Sequence, residues 1–292
     1  MTRNDLVKLY GSTKMPVLGL GTAIIPYHGE TVEEAIQLAL KLGYRHFDTA
    51  RVYYSEPAVG KALVEATDDG KVNREDIFVT SKLWGSDHHD PVSALKQTLR
   101  NMGMDYLDMY LVHWPAKLKN WTWYAIPEEE DFEELDMETT WLGMQKCLEM
   151  GLCNSIGVEM HPMWRQNRLR KFCGENKIHV SAYSPLGGAG SPWGTRDIVD
   201  NPIIQSIALK HQVTPAQVAL SWGLSKGASM ITKSFNQERM KENLGALELI
   251  LDDEDICKIE RLIERKIMRG EFLVNGTTSP YKTIQELWDD EI

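Results

Sequence analysis

The chain has 292 residues, 42% of them hydrophobic and 25% charged, the proportions of a globular protein with a sizeable core, which excludes disorder over most of its length. A net charge of −10 argues against a general nucleic-acid binder, since such proteins need a basic footprint on the phosphates. The opening "MTRNDLVKLYGSTKMP" lacks the apolar core of a signal peptide, and no apolar run reaches the roughly 20 residues that span a bilayer, so no membrane partner and a cytoplasmic location are expected.

Short apolar runs alternate with amphipathic stretches. "VLGLGT" (17–22) precedes a helical pattern near 31–42, "HFDTA" (46–50) one near 56–65, and "IFVTSKLW" (77–84) one near 91–102. Next come "LDMYLVHW" (107–114) with a helix near 138–150 and "NSIGV" (154–158) with one near 163–175. "HVSAYSPL" (179–186) with helices within 202–226, and "SMITKSF" (229–235) with a helix near 238–246, complete the series. This is the order of parallel strands joined by helices. The strands carry few alternating polar positions, so both faces should be covered. Ionisable residues gather at the strands' C-terminal ends and no GxGxxG follows the first strand. A TIM-type (β/α)8 barrel is therefore favoured over an open doubly wound sheet, as one domain over residues 1–292.

Two stretches should overhang the barrel's upper rim: "PAKLKNWTWYAIPEEEDFEELD" (115–136), long enough to suggest a functional loop, and the tail 270–292, read as non-helical. Cys147, Cys153, Cys173 and Cys257 show no CxxC, which fits reduced thiols and no zinc site. His88 and His89 beside Asp90 look metal-like, but adjacent residues rarely point at one ion and no further ligand has suitable spacing. They read as solvated loop residues, and no metal is expected.

Asp48 closes the second strand, Lys82 the third and His113 the fourth, while Tyr53 follows Asp48 closely. Singly, each has a bland reading as packing or an ordinary ion pair; together they form an acid site. A tyrosine titrates near ~10, too high for proton donation at neutral pH unless a cation stabilises its anion. Lys82 is placed to be that cation, Asp48 its counter-ion, and His113 a donor to a carbonyl oxygen as charge develops.

The runs "GLGT", "YRHFDTARVYYSEPAVGKAL", "FVTSKLW", "YLVHWP", "HVSAYSPLG" and "ITKSFNQERMKEN" resemble the aldo-keto reductase family over nearly the whole chain. "SAYSPLGGAGSPWG" and "SPYKTIQELWDDEI" resemble more narrowly the plant branch with chalcone-, codeinone-, methylecgonone- and deoxymugineic-acid-type reductases. The resemblance implies a (β/α)8 barrel, NADPH as hydride donor, and reduction of a small-molecule aldehyde or ketone by a monomer. It makes Tyr53 the general acid, Lys82 and Asp48 its tuning pair and His113 the orienting residue. Tyr183 would stack on the nicotinamide, Ser184 and Leu186 would begin the segment over the pyrophosphate, and Gly21, Thr22 and Asp48 would touch the cofactor. Lys233, Ser234 and Arg239 would clamp the 2′-phosphate, with Glu242 and Asn243 toward adenine. Physically, a helix start and a guanidinium both favour a phosphate dianion there. Trp84, Trp114 and the 115–136 loop, with His113, would wall the substrate.

One departure stands out. In the family, a helix and most of a strand separate Gly-Val-Ser-Asn-Phe from Asn-Gln-Val-Glu-Met-His-Pro, whereas here "SIGV" runs directly into "EMHP" at Val158 and Glu159. Parallel neighbours need a crossover of roughly a dozen residues, so 154–161 supplies only one strand. Seven strand-like runs result, where this barrel closes with eight. The chain reads as family material lacking one βα unit and the Ser, Asn and Gln that hold the nicotinamide carboxamide, whether by natural deletion, exon skipping or a gene-model error. The alternative expectation is thus a catalytically impaired NADP(H)-binding or interaction protein.

Overall fold

The structure, a computed structural model, describes residues 6–9, 14–24, 28–114, 116–119, 131–150, 158–175, 179–189, 194–267, 269–271, 274, 276–277 and 281–287. At its centre, seven strands pair in parallel: β1 (Leu18–Gly21), β2 (His46–Asp48), β3 (Phe78–Leu83), β4 (Met109–Val112), β5 (Val158–Glu159), β6 (Ser181–Tyr183) and β7 (Ser229–Thr232). Their order is β4-β3-β2-β1-β7-β6-β5. The first strand thus pairs with the last, as in a barrel, and the α/β class expected from the sequence is observed. Followed round the circle, the order has one break among the described residues, between β4 and β5. This is the position at which a βα unit is expected, from the sequence, to be missing. Residues 154–157 of the expected fifth strand lie outside the described residues, and the strand found there is the two-residue β5.

Helices α1 (Gly29–Leu42), α2 (Glu56–Asp68), α3 (Pro91–Met102), α4 (Met137–Glu149), α5 (Asn167–Glu175), α6 (Pro202–His211), α7 (Pro215–Ser225) and α8 (Gln237–Gly245) follow the sequence pattern to within a few residues. Two more were not expected: α9 (Asp253–Glu260) and the four-residue α10 (Ile284–Leu287), which corrects the reading of the tail as wholly non-helical. The start of α9 is a capping box made by two aspartates, Asp252 and Asp255, instead of the usual Ser/Thr and Glu/Gln pair.

Local chemistry fixes where these elements begin and stop. Gly43, at φ 100°, closes α1 by donating its N–H to the Ala39 and Leu40 carbonyls. Asp90 caps α3 by accepting from Ser93 N, with Pro91 at the first helical position. A Cβ on Gly60 would lie 2.1 Å from the Met102 carbonyl oxygen, so only glycine lets the backbones of α2 and α3 meet. Nearby, the buried Glu56 carboxylate accepts from Ser81, Thr98 and Asn101 side chains, which satisfies its charge at the start of α2.

All six residues of β3 are buried, as a sheet covered on both faces requires. Leu20, Phe47, Val79, Leu83, Ala182 and Met230 belong to the main core formed by sheet and helices. A ribbon of Leu6–Lys8 and Lys14–Pro16 brings Leu9 and Met15 against Phe78 and Met109, at the strands' N-terminal ends. The opposite, C-terminal ends carry the ionisable residues.

Candidate active site

Asp48 is the last residue of β2 and Lys82 the penultimate residue of β3; the register sets Asp48 opposite Thr80, so Lys82, two residues on and on the same face, reaches back to it. Lys82 Nζ donates to Asp48 Oδ1 at 2.7 Å and to the Thr49 carbonyl at 2.8 Å, with both side chains buried. Burial pushes the Asp48 carboxyl up, and the ammonium beside it pulls it back.

Tyr53 ends a short 3₁₀ turn, Arg51–Tyr53, that begins two residues beyond β2. His113 follows β4 directly and is tied to β3 by its N–H, which donates to the Leu83 carbonyl at 3.0 Å. The Tyr53 hydroxyl and His113 Nε2 are 3.3 Å apart, and their rings meet edge to face at 5.4 Å. Burial, with the Lys82 charge second, holds the His113 imidazole well below its ordinary range, so the ring is neutral. Trp84 packs edge-on against His113 at 5.2 Å.

One expectation about this group needs correction. Lys82 was expected to lower the Tyr53 phenol, but the phenol lies well above its usual 10, through burial first and the Asp48 carboxylate second. The ammonium is directed at Asp48 and Thr49 and stands 4.8 Å over the centre of the tyrosine ring. At neutral pH Tyr53 therefore holds its proton firmly.

The four residues line one end of a cleft of about 1670 Å³. Gly21, Trp84, Trp114, Tyr183, Ser184, Leu186, Lys233, Ser234, Arg239 and Glu242 line the same cleft. Thr22 and Asn243 do not. Thr22 is buried behind the wall, its hydroxyl donating to the Asp48 carbonyl, and Asn243 is buried in α8. At the far end, Arg239 Nε donates to Ser234 Oγ at 3.2 Å beside the start of α8, which Asn236 caps. Among the described residues, neither Lys233 nor Arg239 forms an ion pair with a carboxylate.

The described parts of the two overhangs meet above Trp84 and Trp114. Lys117–Leu118 pairs with Phe132–Glu133, and Leu118, Phe132 and Ala116 cluster with Leu287 of α10 against both tryptophans and Tyr281. Residues 115 and 120–130 of the expected substrate loop lie outside the described residues.

Two features escaped the sequence reading. His88 is not solvated: it is buried, with Nε2 3.2 Å from the Trp114 carbonyl and Nδ1 3.1 Å from Thr140 Oγ1, whereas His89 is exposed as expected. Second, His211, Asp252 and Asp255 bring metal-ligand types within 4.8 Å of one another, but Lys210 occupies both carboxylates, at 2.6 and 2.8 Å.

Similarity to known proteins accords with this geometry. The model of the Aldo/keto reductase family matches residues 17–166 and 158–264, so that residues 158–166 are matched twice. Deoxymugineic acid synthase 1 of Zea mays is 40% identical over 95% of this chain and 97% of its own length. The 7-acetyl-epi-neemfruitin B aldo-keto reductase of Melia azedarach is 40% identical over 97% and 96%, and rhazimal reductase 2 of Alstonia scholaris 39% over 98% and 97%. The Zea mays alignment runs over 305 positions, more than the 292 residues of this chain, so the relative carries residues without a counterpart here. With a family match covering most of its length and relatives at this level of identity, the chain belongs to the aldo/keto reductase family.

Proposed function

We propose that this chain reduces a small aldehyde or ketone to the alcohol with NADPH, with Tyr53 as the general acid. The observation that carries this reading is the buried 2.7 Å Lys82–Asp48 pair beside the Tyr53–His113 contact, on the ends of three adjacent parallel strands. The reading takes residues 1–292 as one barrel domain, acting as a monomer in the cytoplasm. No helix among the described residues is long and apolar enough to cross a membrane.

The cleft fits a phosphorylated nucleotide. Two cations at one end, Lys233 and Arg239, lack carboxylate partners among the described residues, and the same cleft reaches Tyr53 at the other. Lys233, Ser234 and Arg239 would hold the 2′-phosphate, with Glu242 toward adenine. Tyr183 would face the nicotinamide, with Ser184, Leu186 and Gly21 along the rest, while the buried Thr22 and Asn243 would support the wall from outside the cleft. When bound, NADPH supplies the hydride.

The remaining chemistry belongs to the chain. A carbonyl oxygen seated between the Tyr53 hydroxyl and His113 Nε2 meets two groups able to donate a hydrogen bond. As negative charge develops on that oxygen, the Tyr53 proton passes to it. An alkoxide is a stronger base than a phenolate, so the transfer runs downhill even from a phenol raised by burial. Lys82 then faces the phenolate across the ring, and Asp48 keeps the ammonium in place. Trp84 and Trp114 offer apolar walls to the rest of the substrate.

A second reading, an impaired family member, is favoured by the break between β4 and β5 and the double match of residues 158–166. Hydride transfer needs the reacting atoms held near ~3–3.5 Å, so loss of the segment that grips the nicotinamide amide would reduce turnover far more than affinity. Tyr53→Phe tests the general-acid role. It should lower the carbonyl-reduction rate by roughly 10²–10⁴-fold and leave NADPH affinity within about twofold. An unchanged rate with a good aldehyde would remove Tyr53 from the mechanism.

A further inference from the structure

The turn from Trp84 to Asp90 carries three successive anchors. Asp87 pairs at 3.0 Å with Arg51, the first residue of the turn that presents Tyr53, and Asp90 caps α3. Between them His88, 2% exposed, bridges two further elements. Its Nε2 faces the Trp114 carbonyl, which only accepts, so Nε2 carries the proton. Its Nδ1 lies 3.1 Å from the Thr140 hydroxyl of α4, whose one proton also has the Asp136 carbonyl within reach at 2.9 Å. The bond to Trp114 needs only one ring proton, and burial pushes the imidazole down to about 4, which keeps the ring neutral.

The bond to Trp114 matters because of what precedes that residue. His113 is fastened to β3 through the Leu83 carbonyl, and the next carbonyl along the chain is fastened to His88. Together the two bonds fix the backbone from which the Trp114 ring projects as a cleft wall. His88 itself does not line the cleft, so any effect it has on a ligand must pass through Trp114. Trp84 begins the same turn that carries His88, so both tryptophans lining the cleft are tied to one short segment.

We infer that His88 is a positioning residue that holds the Trp114 wall and thereby favours bulky aromatic carbonyl compounds over small aliphatic ones. The inference rests on the carbonyl-reductase reading above. It applies to binding, so it can be read even if turnover is low.

The test uses the full chain loaded with NADP⁺, which has no hydride to give, titrated with naphthaldehyde and with propanal. In His88→Phe, naphthaldehyde affinity should fall about tenfold, the size of one lost hydrogen bond, while propanal and NADP⁺ affinities stay within about twofold. His88→Gln keeps an amide donor for the Trp114 carbonyl and should recover most of the loss. Thr140→Val, which removes the hydroxyl beside Nδ1, should fall between. Equal weakening of both aldehydes and of NADP⁺ would show a merely structural role and overturn the inference, as would unchanged naphthaldehyde binding in His88→Phe. If His88→Phe does not fold, Thr140→Val carries the test, and unchanged naphthaldehyde affinity there overturns it. A wild-type chain that binds no NADP⁺ would instead overturn the proposed function, and this inference with it.

Discussion

Lys82 Nζ lies 2.7 Å from Asp48 Oδ1 with both side chains buried, so removing either charge alone strands the other in a dry site. Asp48→Leu or Lys82→Met should each cost about 3–5 kcal/mol of stability, measured by urea denaturation. The double variant should cost less than the sum, because no unpaired charge is left behind. All three should lose carbonyl reduction. Strict additivity of the two stability losses would show that the pair is not coupled.

Arg239 stands exposed at the cleft's far end with its Nε on Ser234, and Lys233 lies on the same wall. A guanidinium there gains most from a ligand bearing an extra phosphate. Arg239→Ala should weaken NADPH by about tenfold, the lower end for a charged contact at an exposed rim, and barely change NADH. Titration with both cofactors is the check. Equal weakening toward both would count against a phosphate clamp.

Acid should destabilise the fold through buried imidazoles. His46 and His88 are 0% and 2% exposed, and burial pushes each from 6.5 down to about 4. The unfolded chain therefore takes up protons first as pH falls. The stability these neutral rings contribute is whole above pH ~6.5 and is lost between about 6.5 and 4. Each ring contributes a slope of up to about 1.4 kcal/mol per pH unit, so the two together give roughly 2–3 near pH 5. Urea midpoints at neutral and mildly acidic pH, in wild type and His88→Gln, report this. His113 and His179 are pushed down by burial as well and add to the measured slope, so His88→Gln should remove only about 1 kcal/mol per pH unit of it near pH 5, and an identical slope would mean that His88 titrates alike in both states.

Periodicity made the parallel strands and eight of the helices legible, because the strands carry few alternating polar positions and amphipathic stretches separate them. The Asp48, Tyr53, Lys82 and His113 group was legible because strand ends converge on one rim of a barrel, whatever the packing details. Side-chain environment was not. His88 looked solvated because "DHHDP" is locally polar, and only tertiary packing against Trp114 and Thr140 makes it dry. The direction of the Tyr53 shift was missed for a similar reason. Spacing places Lys82 near the phenol, but burial and the Asp48 charge outweigh it, and neither is visible along the chain.

The break between β4 and β5 bears on the second reading proposed above, in which the proposed acid site and phosphate clamp are kept while a segment that would steady the nicotinamide, expected between Val158 and Glu159, is lacking. The most direct measurement compares the wild-type chain with one carrying a family-like Ser-Asn-Phe, helix and Asn-Gln-Val segment inserted at that junction. NADPH affinity, turnover of a good aldehyde and melting temperature are read on both. The wild type is expected to bind NADPH measurably with low or absent turnover, and the insertion to raise turnover and melting temperature together. Robust wild-type turnover, unchanged or lowered by the insertion, would contradict the account and show that another segment of the chain already fills the gap.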